Sequence, residues 1–127
     1  MSTITVTNIK ATGETASRAV SGVAAAWVNM NGTGTVAIGD RQNVSSLTDG
    51  GTGLYDINIS SAFNNINFCP VGSVIGDDTT SNRSYALVGS ISANTTTKID
   101  ISTVNANVTE AYRDFANINV AAQGDLA

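Results

Sequence analysis

Residues 55–59 have the sequence Tyr55-Asp56-Ile57-Asn58-Ile59, in which large apolar side chains alternate with polar ones. Apolar residues recur with the same period of two at residues 4–6, 36–38 and 99–101. Successive side chains of a β-strand point to opposite faces, so each segment would bury one face and leave the other in water. The alternation therefore predicts strands of antiparallel sheets that each have a single core face.

Turn-forming residues separate the predicted strands. They cluster in three segments, Asn31-Gly32-Thr33-Gly34, Asp49-Gly50-Gly51-Thr52-Gly53 and Asp77-Asp78-Thr79-Thr80-Ser81-Asn82. Glycine adopts positive φ, and Asn and Asp bond to their own backbone, so these segments are expected to be hairpin loops. Short strands joined in this way predict an all-β domain, an antiparallel β-sandwich or a jelly-roll-like fold. Residues 15–26 and 109–117 also have a spacing that allows a helix.

Composition excludes several functional classes. The 127 residues include 6 basic and 10 acidic ones, for a net charge of −4, and such a surface repels the phosphates of nucleic acid. The chain has neither a signal sequence nor an apolar run near 18 residues, so we expect no membrane insertion. Cys69 is the only cysteine, and its neighbours Phe68, Pro70 and Val71 predict a buried, inert thiol. A chain without disulfides is suited to assembly in a reducing cytoplasm.

Several residues and motifs on which common catalytic sites depend are missing from the sequence. The chain has no histidine, phosphate-binding loop or nucleophile elbow. Asp77-Asp78 is the only adjacent pair of acidic residues, and it lies in a loop typical of a solvated turn. Two other roles for this pair, catalysis by paired carboxylates and the binding of a calcium ion, are less favoured than the solvated turn. We therefore expect no enzymatic activity, no cofactor and no metal site.

Residues 26–38 and 43–55 carry a resemblance to a known family. The first segment is Ala26-Trp27-Val28-Asn29-Met30-Asn31-Gly32-Thr33-Gly34-Thr35-Val36-Ala37-Ile38, and the second runs from Asn43-Val44-Ser45-Ser46 to Gly51-Thr52-Gly53-Leu54-Tyr55. This order resembles a module near the C-termini of phage tail fibres, A-W-V-N-F-N-G-T-G-T-V-A-I followed by N-V-S-S-I-T-D-N-G-T-G-x-Y. The likeness covers about residues 20–65 well and the later strands loosely. Met30 departs from it, because the family usually has an aromatic residue there.

The resemblance implies a homotrimeric knob on the surface of a bacteriophage particle, made in the host cytoplasm. It suggests a short tail fibre or fibre tip that attaches to the host surface, whereas the alternative is a decoration or head-fibre protein at three-fold positions on the phage head. The motif residues can also be explained by a structural role alone, without contact with a ligand. Trp27 would lie on a strand with its ring over the core, so we expect Trp27→Ala to cost about 3–5 kcal/mol through cavity formation.

An N-terminal anchoring segment, residues 1–20, and a knob domain, residues 21–127, are the predicted organisation. Family members are commonly the tips of long fibres, whereas about twenty residues precede the module here, so we expect residues 1–20 to attach the knob. Ile4, Val6 and Ile9 would pair with sister subunits or with another virion protein by adding a strand to an exposed edge.

The predicted contact with the host lies in loops. Asp77, Asp78, Asn82 and Arg83 form a polar loop without an evident packing role, and they are the candidate residues for contact with a surface glycan or protein. A solvated turn is the alternative for the same residues. Residues 94–97 and 105–107 are further polar loops that offer adaptable hydrogen bonds.

Overall fold

The structure, a computed structural model, describes residues 4–6, 8–9, 18–19, 23–75, 85–88, 93–105 and 111–127. Every regular element in this part of the chain is a β-strand: β1 (Asn8–Ile9), β2 (Arg18–Ala19), β3 (Ala24–Asn31), β4 (Ala37–Gln42), β5 (Val44–Gly51), β6 (Leu54–Ile59), β7 (Cys69–Ile75), β8 (Tyr85–Val88), β9 (Lys98–Asn105), β10 (Ala111–Tyr112) and β11 (Asn117–Gln123). All strand pairs are antiparallel. The all-β prediction is therefore confirmed. No helix that could cross a membrane occurs among these residues.

The strands form two main sheets. Sheet I has the order β4-β3-β11-β7, and sheet II has the order β5-β6-β9. Both β8 and β10 also pair with β9, and β1 pairs with β2 in a separate two-stranded sheet. Strands distant in sequence are thus neighbours in space, because β3 pairs with β11 and β6 pairs with β9.

One hydrophobic core takes side chains from both main sheets. Burial alternates with a period of two along β3, β6, β9 and β11, as strands with one core face require. Phe63 and Phe68 belong to the same cluster, and their rings stack with centroids 4.4 Å apart. The buried strand residues are Ala26, Val28 and Met30 from β3, Val44 from β5, Tyr55, Ile57 and Ile59 from β6, Ile99, Ile101 and Thr103 from β9, and Ile118, Val120 and Ala122 from β11. The alternation predicted at residues 55–59 and 99–101 is confirmed.

The hairpin between β5 and β6 has the predicted glycine turn. Gly51 and Gly53 adopt φ of 110° and 67°, which side chains larger than glycine rarely accept. Gly53 is also closely packed, since a Cβ atom there would lie 2.6 Å from the carbonyl oxygen of Thr103. Gly34, in the turn before β4, has φ of 64°. Turn chemistry was therefore predicted correctly in both segments that the structure describes.

The helical alternative is wrong in the described parts of residues 15–26 and 109–117. Residues 24–26 belong to β3 and residues 18–19 to β2, while Ala111 and Tyr112 pair with β9. Pairing with a neighbouring strand satisfies the backbone there, which apolar spacing alone does not reveal. Residues 4–6 are not a strand either, and Ile4 and Val6 are both exposed.

Cys69 also differs from its prediction, because it is exposed and not buried. It begins β7, an edge strand of sheet I in which only Val74 is partly buried. Phe68 before it is buried and Pro70 after it is exposed, so apolar neighbours in the sequence do not place Cys69 in the core. Pro70, the next residue, is suited to such an edge because it cannot donate a backbone hydrogen bond.

We expect Ile57→Ala to lower the free energy of unfolding by about 2–5 kcal/mol, since the side chain fills the core between the sheets. Ile57 is 0% exposed, whereas Ile66 is 46% exposed. Ile66→Ala is therefore the matched control, with an expected change within about 0.5 kcal/mol. Urea unfolding followed by circular dichroism measures both. Equal losses in the two variants would contradict this assignment of the core.

Candidate functional site

The outer face of sheet I carries side chains that the core does not use. On β3 they are Trp27 and Asn29, and on β11 they are Asn119 and Ala121. Trp27 lies opposite Ala121, which lies opposite Val71 of β7, and this row is apolar. The next row joins Asn29, Asn119 and Ser73, and it is polar.

A hydrogen bond to the neighbouring strand orients Trp27 on this face. Its indole Nε1 donates a hydrogen bond to Oε1 of Gln42, its cross-strand partner on β4, at 2.9 Å. The prediction of a strand at Trp27 is confirmed, but the prediction of a ring over the core is wrong. Ala26 and Val28 on either side point into the core, so the alternation places Trp27 outside. The large cavity cost expected for Trp27→Ala therefore does not apply.

Three asparagines form a hydrogen-bonded cluster beside Trp27. Nδ2 of Asn29 donates to Oδ1 of Asn117 at 3.0 Å and to Oδ1 of Asn119 at 2.8 Å, and Nδ2 of Asn119 donates to Oδ1 of Asn117 at 3.0 Å. Gly39 leaves room for this cluster, since a Cβ atom there would lie 2.5 Å from Oδ1 of Asn29. The cluster holds the amides in defined positions.

A groove of about 420 Å³ lies over these two rows. Its lining includes Trp27, Val71 and Ala121 from the apolar row and Asn29, Ser73 and Asn119 from the polar row. No charged residue lines it. Its size is within the range of about 300–1,000 Å³ that small-molecule sites occupy. The groove can therefore accept a ligand that has both an apolar surface and hydrogen-bonding groups.

A buried polar group joins the two sheets below this face. The hydroxyl of Tyr55 on β6 donates toward Oδ1 of Asp114 at 2.7 Å and the carbonyl oxygen of Gly32 at 3.1 Å. The backbone N–H of Gly53 donates to the same Asp114 oxygen at 2.6 Å, and the N–H of Gly32 donates to the carbonyl of Phe115 at 2.8 Å. Burial, and then the hydrogen bond and charge of Asp114, raise the pKa of Tyr55 far above its usual value. This group is part of the folded framework.

Several polar side chains on the outer face of sheet II bond to one another. Nζ of Lys98 lies 3.0 Å from Oδ1 of Asp56, and Nδ2 of Asn58 donates to the hydroxyls of Ser46 and Thr48 at 3.1 Å. A partly exposed ion pair of this kind contributes at most about 1 kcal/mol. Among the described residues, no three His, Cys, Asp or Glu side chains converge as metal ligands.

The residues predicted for contact with the host and for anchoring have different outcomes. Asp77, Asp78, Asn82 and Arg83 lie outside the described residues, between β7 and β8. Ile9 belongs to β1, where it pairs with Arg18 of the same chain. Residues 94–97 are part of the framework, since the carbonyls of Thr96 and Thr97 accept bonds from Phe63 and Ile59. Residue 105 ends β9, and residues 106–107 are outside the described part.

The sequence pattern was not used to predict the groove on sheet I, although the spacing of its asparagines indicates it. Asn29 and Asn31, and likewise Asn117 and Asn119, are two residues apart, and this spacing places each pair on one face of a strand. Trp27 has the same parity as Asn29. Following parity, and not residue size, would have placed all of them on the outer face.

The chain matches no protein-family model, and no significant match to it exists among curated proteins or solved structures.

We expect Tyr55→Phe to destabilise the fold by about 1–3 kcal/mol, because it removes a donor from the buried carbonyl of Gly32 and from the partly buried carboxylate of Asp114. Tyr55 is 2% exposed and Tyr112 is 58% exposed. Tyr112→Phe, the control, should change the stability by less than about 0.5 kcal/mol. Urea titration at neutral pH compares the two. A Tyr55→Phe variant as stable as the control would show that the hydroxyl does not support the fold.

The stability of the native protein should fall as the pH rises above 10, the ordinary pKa of tyrosine. In the unfolded chain Tyr55 then loses its proton, whereas in the folded chain its raised pKa keeps the hydroxyl protonated, so high pH favours unfolding. The contribution is about 1.4 kcal/mol per pH unit for one group. The penalty of Tyr55→Phe, measured by urea unfolding at pH 9 and pH 11, should therefore shrink at the higher pH. A constant penalty would contradict the raised pKa.

Proposed function

We propose that this protein is a structural protein of a bacteriophage particle, a homotrimeric β-sandwich knob that mediates attachment to the host surface. Residues 21–127 make up the knob, and residues 1–20 anchor it to the particle. The knob acts by binding and not by catalysis. In this proposal it works at the virion surface after assembly in the host cytoplasm.

The observation that carries the proposal is the position of the family-like segments in the fold. Residues 26–38 extend from β3 through the glycine turn into β4, and residues 43–55 include β5 and the hairpin into β6. The resemblance therefore spans four consecutive strands and their turns. Gly34, Gly51 and Gly53, which are glycines in the family pattern, all adopt positive φ here. A match at the positions that define the turns supports a shared structural module.

Exposed apolar side chains support assembly with other chains. Ile4 and Val6 are exposed, and so are Val23 and Leu126, which line a shallow cavity of about 400 Å³. Burial of such side chains against sister subunits or a virion protein would stabilise the assembly. The same residues suit a decoration or head-fibre protein seated at three-fold positions on the phage head, which is our second candidate function. Asp77, Asp78, Asn82 and Arg83 remain proposed contacts with the host.

Copy number separates the two functions. Immunogold labelling and quantitative gels of purified particles should show a few to tens of copies on the tail, whereas a decoration protein would be present in hundreds on the head. Deletion of residues 2–10 should abolish incorporation while the free protein still folds and sediments as a trimer. Full incorporation of the deleted protein would overturn the anchor, and absence of the native protein from particles would overturn the proposed function.

A further inference from the structure

The groove on the outer face of sheet I presents one apolar row and one polar row side by side. Residues of one face are two positions apart along a strand, so the rows are separated by about 6.7 Å. Trp27, Ala121 and Val71 form the first row, and Asn29, Asn119 and Ser73 form the second. A ligand that covers both rows needs an apolar face and a polar rim within the width of one small ring.

We propose that this groove binds one neutral hexose unit of a surface polysaccharide, with the ring against Trp27 and its hydroxyls on Asn119 and Ser73. A pyranose ring has a face of C–H groups and a rim of hydroxyls, which matches the two rows. The proposal deepens the proposed function, on which it rests only for the source of the sugar.

Trp27 in the apolar row offers an aromatic ring on which the sugar ring can stack. The hydrogen bond from Nε1 of Trp27 to Gln42 satisfies the indole N–H and limits rotation of the ring. A rigid aromatic side chain supplies contact area at a low entropic cost on binding. Val71, which is half exposed, extends the apolar surface beside it.

The polar row supplies donors that the fold does not use. Nδ2 of Asn119 carries two hydrogens, of which the bond to Asn117 uses one. Both hydrogens of Asn29 are occupied, and these bonds fix the neighbouring amide in place. An apolar partner over this row would leave the amides without water or a substitute, which is costly. Hydroxyl groups of a sugar replace that water.

Charge favours a neutral sugar over an acidic one. The groove has no basic residue to pair with a carboxylate, and Asp40 lies across from Asn29 on β4. The chain as a whole has a net charge of −4. Anionic sugars would therefore meet repulsion without any compensating ion pair.

Trp27 is the only tryptophan, so its fluorescence reports directly on the groove. The full chain is titrated with the methyl glycosides of β-D-glucose, β-D-galactose and α-D-mannose, and with glucuronate as the acidic probe. We expect a saturable change of emission with at least one hexoside, and at least tenfold weaker binding of glucuronate. Asn119→Ala and Ser73→Ala should each weaken the hexoside at least threefold. Tyr112→Ala, on an exposed aromatic residue outside the groove, should bind as the native protein does.

Trp27→Ala is followed by saturation-transfer NMR, with circular dichroism to verify its fold, and should lose hexoside binding. The inference is overturned if no hexoside changes the emission, or if the Asn119 and Ser73 variants bind as the native protein does. It is also overturned if the emission changes only with protein concentration, because the groove would then be a subunit interface. Particles that need the knob for adsorption while no hexoside binds would retain the proposed function without this site. If the protein binds a hexoside but is absent from particles, the sugar site is supported and the proposed function is overturned.

Discussion

The hydroxyl of Tyr55 is a buried polar group that links the two sheets at the level of the core. Backbone hydrogen bonds hold the strands of each sheet together. Sheets I and II are joined by side-chain packing and by backbone bonds between the segments that follow β6 and β11, where the N–H of Asn64 donates to the carbonyl of Asp125 and the N–H of Ala127 donates to that of Ala62. Tyr55 reaches from β6 to the carbonyl of Gly32, in the turn after β3, and to Asp114, which leads into β11. Apolar packing tolerates sliding, whereas a buried hydroxyl with fixed acceptors does not. The contact thus helps to set the position of β3 and β11, the central strands of sheet I.

Once the core faces of β3 and β11 are set, the composition of the outer face follows from the period of the strand. Ala26, Val28 and Met30 enter the core, so the residues between them must lie outside. A slip of one residue would bury the asparagine amides and expose the core side chains, and it is therefore strongly disfavoured. The bulge in the pairing with β4 next to Asn29, where Gly39 leaves space for its Oδ1, shows how closely this face depends on the register.

The same parity explains what sequence reasoning could and could not predict. The strands at residues 55–59 and 99–101 were predictable, because strict alternation reports on both faces at once. Trp27 was misplaced because a large aromatic residue was assigned to the core by its size, although its neighbours already defined the other parity. Cys69 was misplaced because an apolar neighbourhood does not distinguish a central strand from an edge strand. The pairing of β3 with β11, on which the groove depends, joins residues about ninety positions apart, and local patterns carry no signal of it.

A binding face on a sheet differs physically from binding loops. The groove residues lie on paired strands whose backbone is already ordered, so a ligand there has little conformational entropy to restrict. The cost is shallowness, because a face encloses less of a ligand than a cleft, and a single hexose would be held weakly. Assembly offsets this weakness. In a homotrimer of the proposed kind, three grooves act on one repetitive polysaccharide, and binding at the second and third sites becomes intramolecular. A groove that holds one hexose weakly is therefore sufficient for attachment if three copies of it act together in the proposed trimer.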